Sequence, residues 1–189
     1  MFLLRLFDLI ISLTLLIILF PLIFLIFIAI LIFNGLPVFF LSQRIGLNRK
    51  TFLIFKFRTM KNLKKKLSDD KRLTKLGIFL RRTSLDELPQ LFNVIIGNMS
   101  IVGPRPIPLK IEEKINSKQK KILRSKVKPG ITGLSQINYS GKKRKLDKKL
   151  SYDISYVRNY SVYNYFIIIF KTFSVLIKRY KNNTKGKSL

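Results

Sequence analysis

The chain has 189 residues, with 37 Lys and Arg against 9 Asp and Glu, so its formal net charge is +28, while 48% of it is hydrophobic. A disordered polycation would lack the large apolar side chains of a core, and this chain has 16 Phe. It contains neither Cys nor His, which excludes disulfide frameworks, thiolate chemistry, the usual zinc sites and His-dependent triads. Any chemistry therefore rests on carboxylates, Lys, Tyr and hydroxyls, and any metal on oxygen ligands.

The N-terminal segment is apolar, and no charge appears between Asp8 and Arg44. As a helix, residues 9–33 reach ~37 Å, which exceeds a bilayer core of ~30 Å. The length and the weak charge before the apolar run favour a membrane segment over a signal peptide.

Pro21 lies near the middle of this segment, where an interior Pro removes a backbone hydrogen bond and kinks a helix. Two interpretations follow, a kinked transmembrane helix and a re-entrant hairpin that returns to the same side. The residues alone favour the kinked span slightly. In either case the positive-inside rule predicts that the basic body lies in the cytoplasm. Arg5 and Asp8 are also spaced to pair at i, i+3.

The next segments alternate short apolar and basic runs. Residues 37–60 resemble a strand pair or an interfacial segment. Residues 61–75 are dense in Lys, which is typical of a solvated surface near anionic lipid headgroups. Residues 73–82 have helical spacing of their apolar side chains.

A second helix is predicted over residues 83–95. Ser84 and Glu87 fit the capping box S-x-x-E at its start. Residues 97–108 contain two Gly and three Pro, which predicts an irregular loop.

The C-terminal part has two predicted helices and a tail. Residues 111–126 read as an amphipathic helix, and residues 153–180 as the last ordered element. The apolar portion at 165–177 is short for a span and suits a core or interfacial helix. Residues 181–189 read as a frayed polar tail.

Asp86 and Glu87 are the acidic pair that stands between basic, Pro- and Gly-rich segments. Near a helix N-terminus and close to Arg81 and Arg82, a carboxylate is expected to stay ionised. An ionised Asp can attack phosphorus, and adjacent carboxylates can hold Mg²⁺ with substrate phosphates. The alternative is that Glu87 is a cap and Asp86 a surface residue that stabilises the helix dipole.

Several cations could bind phosphate, Arg through its bidentate fork and Lys as a point charge. With 37 cations in the chain, contact with lipid headgroups is the alternative for each of them. The candidates are Lys56, Arg58, Arg81, Arg82 and Arg105.

A set of motifs occurs in a fixed order and closely resembles the bacterial sugar transferase family, specifically its small monotopic phosphoglycosyl transferases. The likeness extends from the apolar segment to about residue 176. The motifs are QRIG (43–46), KFRTM (56–60), SLDELPQLFNVIIGNMSIVGPRP (84–106), KPGITGLSQIN (128–138) and YDISYVRNYS (152–161).

The resemblance implies an α+β, mostly helical fold with a re-entrant membrane helix hairpin broken at Pro21 and a compact catalytic domain bound at the interface. It thereby reverses the slight preference for a full span. The expected divisions are a membrane hairpin at 1–36, a cytoplasmic catalytic domain at 37–180 and a basic tail at 181–189. The expected location is the cytoplasmic face of a bacterial inner membrane.

The resemblance also implies transfer of a sugar-1-phosphate from a nucleoside diphosphate sugar, usually a UDP-sugar, to polyprenyl phosphate, with release of UMP. Asp86 would be the nucleophile that forms a phosphosugar-aspartyl intermediate. Glu87 would complete the dyad by assisting Mg²⁺ or the proton of the acceptor phosphate. Lys56, Arg81 and Arg105 match basic positions near the phosphates. No nucleic-acid partner is implied.

Four positions depart from the usual family pattern. Phe20 precedes the Pro where a Ser is common, and Asn98 stands where an Asp is common. Tyr139 replaces a frequent Gly, and Tyr165 a frequent Asp.

Two other interpretations are open. One is a nonenzymatic membrane-surface protein that binds anionic lipid or nucleic acid through its charge, with aromatic side chains stacking on bases. It leaves the ordered motifs unexplained. The other is a multipass transferase with no covalent intermediate, for which one hydrophobic segment is too few.

Overall fold

The computed structural model describes residues 2–61, 72–138 and 146–184, with side chains up to residue 177. The fold is mostly helical α+β, as predicted. Tyr139 and most of the Lys-dense segment lie outside the described residues. The helices are α1 (Phe2–Asn34), α2 (Lys75–Thr83), α3 (Gln90–Ile95), α4 (Leu109–Glu113), α5 (Lys118–Arg124), α6 (Leu134–Asn138), α7 (Leu146–Arg158) and α8 (Val162–Thr184). The strands are β1 (Phe39–Ile45), β2 (Thr51–Phe57), β3 (Ser100–Val102) and β4 (Gly130–Thr132).

Helix α1 has 33 residues and contains Pro21 in its interior. Its length and composition suffice to cross a membrane. The predicted long apolar helix is therefore confirmed, whereas the break at Pro21 is not confirmed.

Both halves of α1 pack against the rest of the protein. Leu4 and Asp8 are buried near one end, and Ile30 is fully buried near the other. Arg5 donates hydrogen bonds of 2.6 and 2.8 Å to the Val94 and Ile95 carbonyls at the end of α3. The predicted Arg5–Asp8 pair is wrong, since each of these side chains binds the body instead.

Strands β1 and β2 form an antiparallel hairpin, as the alternation at 37–60 indicated. Its connection includes Asn48 and Arg49 at φ 50° and 64°. Asn tolerates this left-handed region because its short polar side chain interacts locally with the backbone.

The predicted helix at 73–82 is confirmed as α2, which Thr74 caps through a hydrogen bond from the Gly77 amide. The predicted capping box of Ser84 and Glu87 is wrong. Ser84 has φ 60° and makes no side-chain cap; its amide instead closes the end of α2. A short 3₁₀ turn, Leu85–Glu87, follows, and α3 begins only at Gln90.

Strands β3 and β4 form a two-stranded parallel pair. Part of the segment predicted to be irregular is therefore a strand. A Cβ at Gly130 would lie 2.0 Å from the Gly103 amide nitrogen, so only Gly allows the two backbones to approach this closely. Three-residue strands are too short for a periodicity that sequence can reveal.

Two predicted helices are each divided in the structure. The segment 111–126 forms α4 and α5, because Ser117 accepts a hydrogen bond from the Lys120 amide and starts a new helix. The segment 153–180 is divided between α7 and α8, and Ser161 accepts from the Asn164 amide at the second start. Helix α8 continues to Thr184, into the predicted tail.

The buried apolar side chains form two clusters. The larger joins the first half of α1 to α3, β3 and the last two helices. The smaller joins the second half of α1 to the hairpin and α2. The larger cluster consists of Leu4, Ile54, Leu91, Val94, Met99, Ile101, Val102, Val127, Tyr156, Tyr165 and Ile168, and the smaller of Ile26, Ile30, Val38, Phe57 and Leu80.

Candidate active site

Asp86 lies on the 3₁₀ turn between α2 and α3 and is buried, with 9% of its surface exposed. Burial and the neighbouring Glu87 charge raise the pKa of Asp86, while Lys56 and Arg81 oppose this shift. The direction of this shift is opposite to the expectation that the helix N-terminus and the nearby cations would keep the carboxylate ionised, because burial and the Glu87 charge outweigh them. A carboxylate with a raised pKa is more basic and more nucleophilic than a surface Asp.

Glu87 is held by two cations from different parts of the chain. Its Oε1 accepts a hydrogen bond of 2.6 Å from Lys56 Nζ and one of 3.1 Å from Arg105 Nη2. Burial opposes the charge of Glu87, but Arg105 and Lys56 overcome it and lower the pKa to about 2. The two adjacent carboxyl groups therefore have pKa values shifted in opposite directions, which is typical of groups with different tasks.

Arg81 comes from the last turn of α2 and lines the same cavity as Asp86. Its Nε donates a 2.9 Å hydrogen bond to Thr59 Oγ1, just after β2. Arg82 is exposed and is absent from the described residues that line this cavity.

Arg58 has partners other than the phosphate predicted for it. It is buried, and its terminal nitrogens donate to the carbonyls of Asn34, Gly35 and Leu36. Asn34 is the last residue of α1 and the other two follow it, so the observed contacts of Arg58 fix the end of the apolar helix.

The dyad opens into a cavity of about 1320 Å³. Part of its lining is acidic and basic, and part is apolar. The apolar part combines side chains of α1, β1 and α8, namely Ile11, Leu15, Leu19, Phe39, Phe40, Leu41, Ile169, Phe173 and Leu176.

Asn93 is a buried polar residue outside the predicted site residues. Its Oδ1 accepts a 2.9 Å hydrogen bond from the Phe55 amide, and its Nδ2 donates one of 2.7 Å to the Leu53 carbonyl. The side chain thus forms the two backbone hydrogen bonds that a neighbouring strand would form, and it joins α3 to β2. An amide inside the otherwise apolar pattern of residues 91–96 is the signal that could have identified it.

Asp8 makes a second buried network. Its Oδ1 accepts three hydrogen bonds of 2.8 Å, from Ser100 Oγ, the Ile101 amide and the Tyr165 hydroxyl. Tyr165, one of the departures from the family pattern, therefore has a defined partner in α1. Asn98 lies in the turn before β3, where its amide donates to the Asn93 carbonyl.

The carboxylates at the site can be compared with what the predicted Mg²⁺ requires. Among the described residues, no group of three or more acidic side chains could enclose a metal ion. Mg²⁺ does not need such a group, because one or two carboxylates together with substrate phosphates and water suffice. The adjacent carboxylates of Asp86 and Glu87 fit that requirement.

Comparison with known proteins identifies the family to which the chain belongs. The family described as bacterial sugar transferase matches residues 1–179. The chain belongs to this family.

Its curated relatives are named as sugar transferases. It is 42% identical over 182 residues to the UDP-glucose:undecaprenyl-phosphate glucose-1-phosphate transferase of Klebsiella pneumoniae, which covers 89% of this chain and 38% of that protein. It is 39% identical to the galactosyl transferase CpsE of Streptococcus agalactiae, covering 76% of this chain and 35% of that protein. It is 38% identical to the undecaprenyl-phosphate galactose phosphotransferase of Salmonella typhimurium, covering 94% and 41%. The chain thus spans about two fifths of the length of these relatives.

Proposed function

We propose that the protein transfers a sugar-1-phosphate from a UDP-sugar to polyprenyl phosphate and releases UMP. The observation that carries the proposal is the buried Asp86 in a cavity that is lined both by cations and by apolar side chains. The names of the relatives supply the class of donor and acceptor.

The proposed reaction has two displacements at one phosphorus. A carboxylate oxygen of Asp86 attacks the phosphate that bears the sugar, and the bond from this phosphorus to the bridging oxygen of UMP breaks. The phosphosugar is then bound to Asp86 as an acyl phosphate. A phosphate oxygen of the lipid next attacks the same phosphorus, which restores the Asp86 carboxylate and forms a lipid diphosphate sugar.

The cations stabilise the charge that develops on the phosphate oxygens during each displacement. Glu87 holds Lys56 and Arg105 in place for this purpose. With a pKa of about 2 it is too weak a base to remove a proton efficiently, so its proposed role is positioning and metal binding. When bound, Mg²⁺ would neutralise part of the diphosphate charge, held by Asp86 and Glu87.

The apolar part of the cavity suits the lipid acceptor. Withdrawing an isoprenoid chain from the bilayer costs ~0.8 kcal/mol for each exposed CH₂. The nucleophile must therefore work at the membrane surface. Side chains of α1 and α8 reach the same cavity as the dyad, so a lipid could approach Asp86 while its tail stays among apolar groups.

We also propose that α1 is re-entrant and that the body lies on the cytoplasmic side. Arg5 binds the end of α3, and Arg58 binds the end of α1 itself, so both ends of the helix contact one body. These ends are 29 residues apart, ~44 Å along a straight helix, which exceeds the ~30 Å core. A body on one side of a bilayer could not contact both ends of a straight span. The midpoint is exposed at Ile17 and Phe20, which suits contact with lipid.

Asp86→Asn tests the proposal. The purified full chain is incubated with a panel of UDP-sugars, Mg²⁺ and polyprenyl phosphate, and UMP is measured. The wild type is expected to release UMP and Asp86→Asn to release none, with unchanged thermal unfolding and membrane binding. Near-normal turnover in Asp86→Asn would remove Asp86 as the nucleophile. If the wild type released no UMP with any donor, the nonenzymatic lipid-binding interpretation would be favoured instead.

A further inference from the structure

Arg44 projects from the same face of the β1–β2 hairpin as Lys56. In the observed register Arg44 is opposite Phe52, and Phe40 is opposite Lys56. Directly opposed residues share a face, and so do residues two and four apart on one strand. The hairpin therefore directs both cations to the side on which Glu87 lies.

The Arg44 side chain lies between two cavities. It lines the large cavity that contains the dyad and also a smaller adjoining one of about 130 Å³. Its Nε is buried without a hydrogen-bond partner, and within the described part of the chain no hydrogen bond or ion pair ends on its guanidinium. Buried polar groups are normally paired, so an unpaired guanidinium in a cavity wall calls for a ligand.

The charges around Arg44 do not balance. Arg105 and Glu87 are close enough to act on it, and burial first, then Arg105, lowers the pKa of Arg44, whereas Glu87 raises it. Oε1 of Glu87 already accepts from Lys56 and Arg105. Among the described residues, four cations act on the two carboxylates, namely Arg44, Lys56, Arg81 and Arg105, so this group carries a net charge of +2.

We propose that Arg44 binds the phosphate that leaves with the nucleoside, in the donor and then in the nucleoside monophosphate product. The inference rests on the proposed function, which supplies the diphosphate. A guanidinium suits this task because its fork binds two phosphate oxygens at once.

The position of Arg44 favours the nucleotide phosphate over the lipid phosphate. Phe39, at the start of β1, packs against Phe27 of α1. Arg44 is five residues further along the strand, ~17 Å away. It also borders the smaller cavity, whose lining includes Pro106 and Gln136 and none of the described side chains of α1 or α8. Arg44 thus borders a space that the described parts of the membrane-facing helices do not line, which favours the nucleotide phosphate.

Titration of the full chain with UMP and with UDP tests the assignment directly. Arg44→Ala is expected to weaken UMP binding ~10–100-fold, as for loss of a hydrogen-bonded charged group. Arg44→Lys, which keeps the charge without the fork, is expected to restore part of the affinity. Arg158→Ala, an exposed arginine at the end of α7, is the charge-matched control and should bind UMP as the wild type does.

Kinetics then separates the two phosphates. The KM for the UDP-sugar should rise in Arg44→Ala while the KM for polyprenyl phosphate stays constant. Unchanged UMP affinity in both Arg44 variants would overturn the proposal, as would a rise confined to the lipid KM. Because UMP binding needs no turnover, this result can be told apart from failure of the proposed function, in which the wild type itself releases no UMP. Thermal unfolding verifies that each variant is folded. If Arg44→Ala fails to fold, the UMP affinity of Arg44→Lys tests the role of Arg44.

Discussion

Lys56 Nζ lies 2.6 Å from Glu87 Oε1, and this contact joins the end of β2 to the turn that carries the dyad. The two residues are 31 positions apart. Since Arg105 reaches the same carboxylate oxygen from the loop after β3, Glu87 is the point at which three segments of the site meet.

Lys56→Ala is expected to lower turnover by ~10²–10³, the usual cost of removing one preorganised contact to transition-state charge. The loss should appear in kcat, because the charge on the transferring phosphate grows in the transition state. Steady-state UMP release checks this. Lys75→Ala removes an exposed lysine at the start of α2 and should have little effect. A loss of less than tenfold in Lys56→Ala would contradict the role.

The pH dependence should reveal the opposed shifts of the dyad. Asp86 must be ionised to attack, so activity should fall as the pH drops through the pKa of Asp86. Burial and the Glu87 charge raise this pKa above the ordinary Asp value of about 3.9, so the fall should occur at a higher pH than for a surface Asp. Glu87→Gln removes the neighbouring negative charge and should move the acid limb of kcat/KM to lower pH, at reduced activity. Glu113→Gln, at an exposed site, should leave the limb unmoved. A limb displaced to higher pH in Glu87→Gln would refute this account.

Asn93→Ala should destabilise the fold. It leaves the Phe55 amide and the Leu53 carbonyl without the partners that Asn93 supplies, at about 1–3 kcal/mol for each group. For a chain of this size the midpoint of thermal unfolding should fall by about 5–15 °C. Asn116→Ala, at an exposed position, serves as the control. An unchanged midpoint in Asn93→Ala would show that water replaces both contacts.

Local sequence patterns predicted some of the helices and strands correctly and others incorrectly. Helix α1 was predicted because its apolar run is long enough to cross a bilayer, and α2 because its apolar side chains have helical spacing. The start proposed at Ser84 failed because S-x-x-E also occurs where a residue in the left-handed region closes a preceding helix. Motif resemblance indicated Lys56, Arg81 and Arg105, whereas the partners of Asn93 and Asp8 depend on contacts 38 or more residues away, which no local pattern contains.

Tyr165→Phe tests the link between α1 and α8. It removes one of the three donors to Asp8, and a hydrogen bond to a charged group contributes about 1.5–3 kcal/mol. The thermal midpoint should therefore fall by several degrees. Tyr163→Phe, on a side chain that is 75% exposed, should be neutral. Equal midpoints for the two variants would mean that the Tyr165 hydroxyl is not needed to hold α1.

The topology of α1 can be tested by cysteine labelling, because the chain contains no Cys. Leu3→Cys near the start of α1 and Lys126→Cys on the body should both resist a membrane-impermeant maleimide applied to intact cells and react after the inner membrane is opened. The reason is that a re-entrant helix brings its N-terminus back to the side of the body, where Arg5 binds the carbonyls at the end of α3. Transfer activity is measured for each variant to verify that the protein is intact. Labelling of Leu3→Cys from outside, with Lys126→Cys still protected, would establish a full span, and the Arg5 contacts could then not form in the membrane.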